Sequence, residues 1–519
     1  MAEKKLGLVE SVSMALGGMI GGGIFAVLGV IAQITHAITW FAFIVAGIIA
    51  FSAGYSYNVL NRLSNEPGGS VTFVQSFTGN STMAGMTGWT LLFGYIGSMA
   101  MYAYAFGSFF TGLVGLERLP GLGLSLRPVI SVLSVGLFAG LNILGARSTG
   151  LTEDILVGLK IGILLLFGLW GLIYGLNQGS LEFGISRLRG FSPVIAAAVS
   201  FVAFQGWQLI FYDQESVKDP VNTIRKAVYI AIPASVLIYV IVAITTLSLA
   251  PLSVVTHHPE RALAVAARPF MEQTGFTLIS LAALFSTGSA VNATLFSSSY
   301  FAKRMLSRDL LPDRVGDSSQ SGLPARALMV IAVITAAFTW FGSLGAVTSF
   351  ASISFIIVFG SMCYLAFKNR GRSQVNFVLP LIGIIGSAGF LPLMFWHLYR
   401  SEPEIFYTVL LLAGVIFVVE ALYFEREFVI EGLEEVGEEV IEVLKKEGYR
   451  EAFDRDKIVE SCRKAGAPKE TAEEIAKSVE VKVEDRIEAT ELQEMVLEEL
   501  GNANMDWVEN WKKYEKREN

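Results

Sequence analysis

The stretch "GGMIGGGIFAVLG", residues 17–29, decides the fold, because it places six glycines inside a segment that is otherwise apolar enough for a lipid bilayer. Glycine destabilises a helix interior by about 1 kcal/mol relative to alanine, so three in a row at Gly21, Gly22 and Gly23 predict a break in the helix. In hydrocarbon, non-helical backbone is tolerated only against protein, water or a ligand. We therefore expect a ligand-binding site at this point.

The composition of the whole chain is that of a membrane protein. Hydrophobic residues make up 53% and charged residues 16% of the chain, and the mean hydropathy is +0.55. Apolar runs of roughly 20 residues predict twelve membrane-spanning helices. They lie near residues 9–34, 38–60, 84–115, 127–145, 152–175, 193–212, 227–250, 274–301, 325–343, 348–367, 376–397 and 404–423. The first is long and followed at once by another span, so we do not interpret it as a cleaved signal peptide.

The distribution of charge predicts the orientation and the domains. Lysine and arginine are roughly twice as frequent in the connections on the N-terminal side of the membrane as in those on the other side. Because basic residues favour the cytoplasmic side, we predict a plasma membrane protein with both termini in the cytoplasm. After Phe424 the chain is polar, with 28 acidic and 16 basic residues in the last 95. We predict a membrane domain over 1–423, an acidic helical linker over 424–440 and a soluble, mostly helical cytoplasmic domain over 441–519.

A second weak point lies in the sixth span, "SFVAFQGWQLIFYDQ". Gly206 stands there in mid-membrane between Gln205 and Gln208, and a lone glycine can also be a close-packing contact between helices. In transporters built from inverted repeats, the site lies where the first span of each repeat is interrupted. We therefore predict a second interruption at Gly206, paired with the glycine triplet Gly21–Gly23.

Two broken helices would suit a zwitterionic amino acid. Helix N-termini present N–H donors to a carboxylate, and freed carbonyl groups accept from an ammonium group. We predict that the backbone of the substrate is held by the segment formed by Ile20 and the glycine triplet, together with Gly206. The aromatic side chains of Phe201, Phe204 and Trp207 are the candidates for lining the rest of the pocket, although aromatic residues in a span commonly serve packing alone.

Lys160 lies about ten residues inside the fifth span, close to the bilayer centre. Burying its charge costs at least about 2.5 kcal/mol, so the lysine should face the bundle interior and either pair or lose its proton. A structural lysine that donates to backbone carbonyls is one reading, and a proton carrier is the other. The eighth span supplies Ser286, Thr287, Ser289 and Asn292, which are small oxygen-bearing side chains that could face this site.

Several motifs resemble those of the amino acid/polyamine/organocation transporter superfamily. "MIGGGIF" resembles its first-helix "GSGIF" motif with Gly22 in place of the serine, and "EPGGSVTFV", "LNILGARSTG", "AFQGWQ…VKDPVNTIRKA" and "NATLFSSSYFAKRMLSRDLLP" follow in the family's order over residues 6–423. The resemblance implies a LeuT-like fold of five plus five inverted repeats with two added helices. It also implies that Lys160, close to Ser286, is the fifth-helix lysine of proton-coupled and sodium-independent members. Gln208 stands where many members have a glutamate.

The tail resembles an ATP-cone domain, a small nucleotide-sensing module. "LKKEGYREAFDRDKIVESCRKAGAP" and "WKKYEKR" carry the likeness, which implies that Lys445, Lys446 and Lys457 lie near the phosphates of ATP or another purine nucleotide. From the residues alone, a solvated helical tail without a ligand is the alternative. We expect no cofactor in the membrane domain, no metal site and no nucleic acid partner.

The leading hypothesis is a secondary active amino acid transporter that works by alternating access, with protons as the coupling ion and a nucleotide as candidate effector. An amino acid exchanger without proton coupling and an amino-acid-sensing membrane receptor are the alternatives. An enzyme is not expected, because the chain shows no nucleophile and base arrangement and no metal-ligand spacing.

Overall fold

The computed structural model of the protein describes residues 5–518 except 65–67, 120–122, 145–149, 186, 187, 189, 213, 307, 309, 312–323, 373–375, 412, 415–441, 445–449, 453 and 483–486. The chain forms two compact units, Met1–Glu420 and Ala421–Asn519, which we call the membrane unit and the C-terminal unit. The predicted linker, 424–440, lies outside the described residues.

The helices of the membrane unit follow the predicted spans in order. They are α1 (Leu8–Thr35), α2 (Thr39–Leu63), α3 (Ser70–Thr78), α4 (Ser81–Val114), α5 (Leu126–Ile143), α6 (Gly150–Gln178), α7 (Ser192–Val199), α8 (Pro220–Leu249), α9 (Leu252–His257), α10 (Ala262–Ala266), α11 (Arg268–Leu306), α12 (Ala325–Phe341), α13 (Leu344–Lys368) and α14 (Val378–Ser401). The twelfth predicted span is helical over 403–411 and 413–414, and the rest of it is outside the described residues. Seven of the described helical stretches are long and apolar enough to cross a membrane, the first of which, Leu8–Leu63, contains both α1 and α2.

Local sequence signals fix several helix ends. The Asn80 side chain accepts the backbone N–H of Met83 at 2.8 Å at the start of α4, and Gly115 ends that helix with φ 71°. The Ser343 hydroxyl accepts the N–H of Ala346 at 3.1 Å at the start of α13. These are ordinary capping residues, which satisfy backbone groups that helix ends leave without a partner.

The predicted break in the first span is wrong for this conformation, because α1 runs without interruption through Gly21, Gly22 and Gly23. The reason is packing. All three glycines are buried, and neighbouring elements approach their backbone more closely than any side chain would allow. Close contacts of this kind are a main source of helix association in membranes, and they offset the low helix propensity of glycine.

The predicted interruption of the sixth span is confirmed. After α7, the chain forms a 3₁₀ turn over Ser200–Phe204, passes through extended backbone at Gln205 and resumes as a second 3₁₀ turn over Trp207–Phe211. Gly206 joins the two turns with φ 121° and ψ −38°. Residues with a Cβ rarely adopt this backbone conformation, so the break requires a glycine at this position.

The described residues of the C-terminal unit form a small sheet and four helices. The strands are β1 (Glu442–Leu444), β2 (Arg450–Ala452) and β3 (Ile487–Glu488), in the order β2-β1-β3, with β1 antiparallel to β2 and parallel to β3. The helices are α15 (Arg455–Lys464), α16 (Lys469–Lys482), α17 (Ala489–Ala503) and α18 (Met505–Glu518). Their shared core includes Cys462, Ile475, Val479, Val496 and Leu500. The unit is mostly helical as predicted, and the sheet was not expected.

Candidate substrate site

The interrupted sixth span lies against the backbone of α1 at two glycines. A Cβ on Gly18 would lie 2.8 Å from the Cα of Gly206, and one on Gly206 would lie 2.5 Å from the Gly18 carbonyl carbon. Further along α1, a Cβ on Gly23 would lie 2.9 Å from the Cα of Ala203. The two elements therefore touch backbone to backbone, and Gly206 meets Gly18 rather than the glycine triplet with which it was paired in the prediction.

The other two glycines of the triplet face different helices. A Cβ on Gly21 would lie 2.9 Å from the Cβ of Ala290 on α11, and one on Gly22 would collide with the ring of Tyr102 on α4. Successive residues of an α-helix point about 100° apart, so three adjacent glycines present bare backbone to three neighbours. The triplet is the point where α4, α11 and the sixth span meet around α1.

A group of four neutral polar side chains occupies the break, and we call it the amide–tyrosine cluster: Gln205, Gln208, Tyr95 and Tyr102. Gln205 Nε2 donates to the Tyr102 hydroxyl. The N–H of Gly206 donates to Gln208 Oε1 at 2.7 Å, and Gln208 Nε2 lies 3.4 Å from the Tyr95 hydroxyl and 3.5 Å from Gln205 Oε1. All four side chains are buried. The cluster thus satisfies backbone that the break leaves open, without a charged group.

The three aromatic residues predicted to line the pocket belong to two separate groups. The ring centroids of Phe201 and Trp207 lie 5.7 Å and 5.1 Å from that of Phe359 on α13. Phe204 lies apart from them, 5.4 Å from Tyr239 on α8. The indole N–H of Trp207 is buried and has no hydrogen-bond partner among the described residues. The structure therefore brings Phe201 and Trp207 together and places Phe204 elsewhere.

Side chains of the surrounding helices hold the broken span in place. The Tyr239 hydroxyl lies 2.7 Å from the Met19 carbonyl of α1 and 2.9 Å from the Ala203 carbonyl, so its single proton joins α1 and the sixth span. The Ser352 hydroxyl of α13 donates to the last carbonyl of α7 at 2.7 Å and accepts the N–H of Val202 at 3.1 Å. These contacts supply the partners that backbone needs in a membrane interior.

Hydrogen bonds of α11, the eighth predicted span, connect Lys160 to α1. Its side chain is only 5% exposed, and its Nζ donates to Ser289 Oγ at 3.0 Å. Ser289 Oγ donates to the carbonyl of Ser286, and Ser286 Oγ donates to the Ile20 carbonyl, both at 3.0 Å. A continuous chain of contacts therefore leads from Lys160 to the residue before the glycine triplet. Ser289 supplies a hydroxyl that contacts the lysine, and the predicted Ser286 lies one hydrogen bond further along.

The end of the site nearest the N terminus is closed by backbone hydrogen bonds. The N–H of Leu6 donates to the Ser216 carbonyl at 2.8 Å, and the N–H of Lys218 donates to the Leu6 carbonyl at 2.9 Å. The segment before α1 is thereby fastened to the segment that follows the sixth span.

The opposite end is closed by the turn Pro259–Arg261. The Pro259 carbonyl lies so close to Gly29 of α1 that a Cβ there would collide with it. Arg261 Nη2 donates to Thr111 Oγ1 of α4 at 3.2 Å, and Arg261 Nη1 lies 3.6 Å from the exposed carboxylate of Glu117. Ile20 and the glycine triplet, which lie between these two contacts along α1, are buried, and we call this conformation closed.

A protein-family model described as amino acid permease matches residues 6–419. The chain belongs to this family. The permease is 30% identical to the inner membrane transport protein YbaT of Escherichia coli, over 74% of its own length and 87% of that protein. It is 23% identical to the serine/threonine exchanger SteT of Bacillus subtilis, over 60% of its own length and 70% of that protein. The permease is a multi-pass membrane transporter and not an enzyme.

Among solved structures, the permease resembles a manganese transporter from Eremococcus coleocola, with a TM-score of 0.53 at 11% identity over 81% of the permease and 94% of that chain. At this identity the likeness is one of fold alone. Together with the family, it confirms the predicted all-helical membrane protein with LeuT-like architecture.

The C-terminal unit of the permease is matched by the ATP cone domain model over residues 441–514. Of the three lysines predicted to lie near phosphates, Lys457 is exposed on α15, where its backbone N–H donates to Asp454 Oδ1 at 3.3 Å. Lys445 and Lys446 lie outside the described residues. Burial raises the pKa of the Cys462 thiol to about 11.

Sequence reasoning missed the tyrosines of the site. Tyr95 and Tyr102 are seven residues apart on α4, a spacing that places them on one face of the helix two turns apart. Two glutamines three residues apart in the sixth span form the other half of the cluster. A search for polar groups at helical spacing in two different spans could have paired them, but tyrosine in an apolar helix alone does not distinguish a site from packing.

Proposed function

We propose that the permease is a secondary active transporter that imports amino acids together with protons. The observation that carries this proposal is the buried Lys160, the one charged side chain among the buried residues that the structure describes. A charge in a low-dielectric interior is costly, and a lysine there changes its protonation more readily than one in water. Its contacts lead to Ile20, so a gain or loss of the proton acts where α1 meets the substrate.

The substrate backbone is held, in this proposal, by Ile20, Gly21, Gly22, Gly23 and Gly206. In the closed structure the N–H and carbonyl groups of the triplet are used within α1. Each glycine lowers the cost of unwinding the helix by about 1 kcal/mol relative to alanine, so we expect α1 to unwind at the triplet once the packing that offsets this effect is released. Unwinding there would offer N–H groups to the substrate carboxylate and carbonyl groups to its ammonium.

The two closed ends are the gates of an alternating-access cycle. We assign the Leu6 contacts to the cytoplasmic gate and the turn Pro259–Arg261 to the outer gate, with the N and C termini in the cytoplasm and the protein in the plasma membrane. Opening one end at a time would let the substrate enter from one side and leave on the other. In this proposal the closed structure is the intermediate in which both gates are shut, with Phe201 and Trp207 packed beside the site and Phe204 packed apart from them against Tyr239.

Uptake into proteoliposomes with an imposed pH gradient tests this proposal. Accumulation of an amino acid above its outside concentration, driven by an acidic outside medium, supports proton-coupled transport. Equal concentrations at steady state under the same gradient contradict it. Measurement at several membrane potentials separates the proton gradient from the electrical one.

Exchange without protons is a second candidate function, favoured by the likeness to the serine/threonine exchanger. An exchanger would take up labelled amino acid only when the liposomes hold unlabelled amino acid. Uptake into empty liposomes therefore distinguishes the two functions.

We further propose that the C-terminal unit binds ATP or another purine nucleotide and that the nucleotide alters the transport rate. Two observations support this proposal: residues 441–514 match the ATP cone domain model, and Lys457 is exposed at the first turn of α15. A ligand can shift a transporter only if it binds two of its states with different affinity. Binding and regulation are therefore separate claims.

Two measurements on the full-length permease test them. Calorimetry should show nucleotide binding that weakens when Lys445, Lys446 and Lys457 are replaced by alanine. Uptake should depend on nucleotide inside the liposomes, and truncation after Phe424 should remove that dependence. Binding with no change in uptake would refute the regulatory role, and no binding would refute both claims.

A further inference from the structure

The side chains on the α4 side of the glycine triplet are neutral. The amide–tyrosine cluster lies there, beside Gly22, and Trp207 stands between two of its members in the sequence. Among the described residues, no aspartate, glutamate, arginine or histidine is buried. A charged ligand group in this part of the site would therefore have no buried side chain of opposite charge beside it among the residues that the structure describes.

Lys160, the one charged side chain among the buried residues that the structure describes, approaches α1 from a different direction. Lys160 contacts Ser289 of α11, next to Ala290, and Ala290 is the residue that faces Gly21. The ring of Tyr102 faces Gly22 instead. Because adjacent helix residues point about 100° apart, the α11 residues next to Lys160 and the ring of Tyr102 approach α1 from different directions.

Two hydrogen-bond donors in this region are poorly used in the closed structure. Gln208 Nε2 makes its two contacts at 3.4 Å and 3.5 Å, which are long for an N–H donor. The Trp207 indole N–H is fully buried and makes no hydrogen bond to the described residues. A buried donor without an acceptor is unfavourable, so both groups would gain from an oxygen atom supplied by a ligand.

We infer that the side-chain subsite of the permease takes neutral amino acids that carry a hydroxyl or a carboxamide, and that it excludes basic and acidic ones. This inference rests on the proposed function, because it names the substrate class of that site. A hydroxyl or carboxamide oxygen accepts from Gln208 and Trp207, and its own protons can bond the tyrosine and glutamine oxygens. A basic or acidic side chain would instead bring an unpaired charge into a low-dielectric site.

Competition for uptake in proteoliposomes tests the inference. Serine, threonine, asparagine and glutamine should compete at concentrations at least about 100-fold below those needed for lysine, arginine, aspartate and glutamate, because a buried polar site strongly rejects a ligand that it cannot pair. Leucine should compete less well than glutamine. Lysine or glutamate competing as well as serine would overturn the inference while amino acid transport stands. Failure of every amino acid to be taken up would instead refute the proposed function.

Two variants test whether Gln208 and Trp207 determine which amino acids are accepted. Gln208→Glu places a carboxylate in the cluster and should improve competition by lysine at least tenfold, whereas Gln178→Glu, at the exposed end of α6, should not. Trp207→Phe keeps an aromatic ring but removes the N–H, and should reduce the preference for glutamine over leucine. Trp170→Phe, on the exposed surface of α6, is its matched control. An unchanged ranking of amino acids in both Gln208→Glu and Trp207→Phe would place the subsite elsewhere and overturn the inference.

Discussion

Replacing Gly206 by alanine tests the contact between α1 and the broken span. The substitution forces a Cβ into a backbone conformation with φ 121° and places it 2.5 Å from the Gly18 carbonyl carbon. Backbone strain of this kind costs about 1–3 kcal/mol, and overpacking in a tight interior costs about another 1–3 kcal/mol. Even about 2 kcal/mol against the closed conformation would change its population relative to an open one by roughly 30-fold.

Two further variants separate these contributions. Gly18→Ala places a Cβ in the same contact from the α1 side. Because the backbone of Gly18 is helical, this variant adds overpacking without backbone strain. Gly389→Ala, on α14, has no neighbouring atom within 4 Å of the new Cβ and should change nothing. We expect melting temperatures in detergent and initial uptake rates to be lowered most by Gly206→Ala, less by Gly18→Ala, and not by Gly389→Ala. Wild-type stability and uptake in Gly206→Ala would refute the assignment of this contact.

Three other predictions follow from the same structure. Gly23→Leu should abolish substrate binding in a thermal-shift assay while the protein still purifies as a folded species, because the leucine side chain would enter space occupied by the sixth span. Undiminished affinity for substrate would exclude the triplet from the site. Tyr239→Phe removes the hydroxyl that joins α1 to the broken span and should lower the melting temperature. Tyr399→Phe, on the exposed side of α14, should leave the melting temperature unchanged. Equal melting temperatures of the two variants would show that the Tyr239 hydroxyl is not needed. In a Cys363→Ala background, Cys462 should resist alkylation at pH 7, because burial raises its pKa to about 11 and leaves little thiolate, and should react as the C-terminal unit unfolds; rapid reaction in the folded protein would contradict its burial.

The order of the helices and the break in the sixth span were predictable from local sequence. Long apolar runs define the spans, and a glycine next to two glutamines weakens a membrane helix while supplying polar side chains for freed backbone groups. The interrupted backbone at Gly206 agrees with this prediction.

The unbroken α1 was not predictable in the same way. Helix propensity predicts a break at Gly21–Gly23, but propensity is outweighed when neighbours pack directly against the glycine backbone. Which neighbours do so depends on Ala203, Tyr102 and Ala290, which are distant in sequence. The contact of Lys160 with Ser289 is a similar case, because it depends on how α6 packs against α11, which the local sequence does not specify.

The role of Lys160 in proton coupling can be tested by measuring the steady-state accumulation of amino acid as a function of the pH gradient. One pH unit corresponds to about 1.4 kcal/mol per proton, so a transporter that moves one proton with each amino acid, at zero membrane potential, should accumulate substrate about tenfold per unit. We expect this slope for the wild type and for Lys226→Ala, which replaces an exposed lysine on α8. For Lys160→Ala we expect a ratio of one at every gradient, with binding or exchange retained. Accumulation by Lys160→Ala with the wild-type slope would contradict a role of Lys160 in proton coupling.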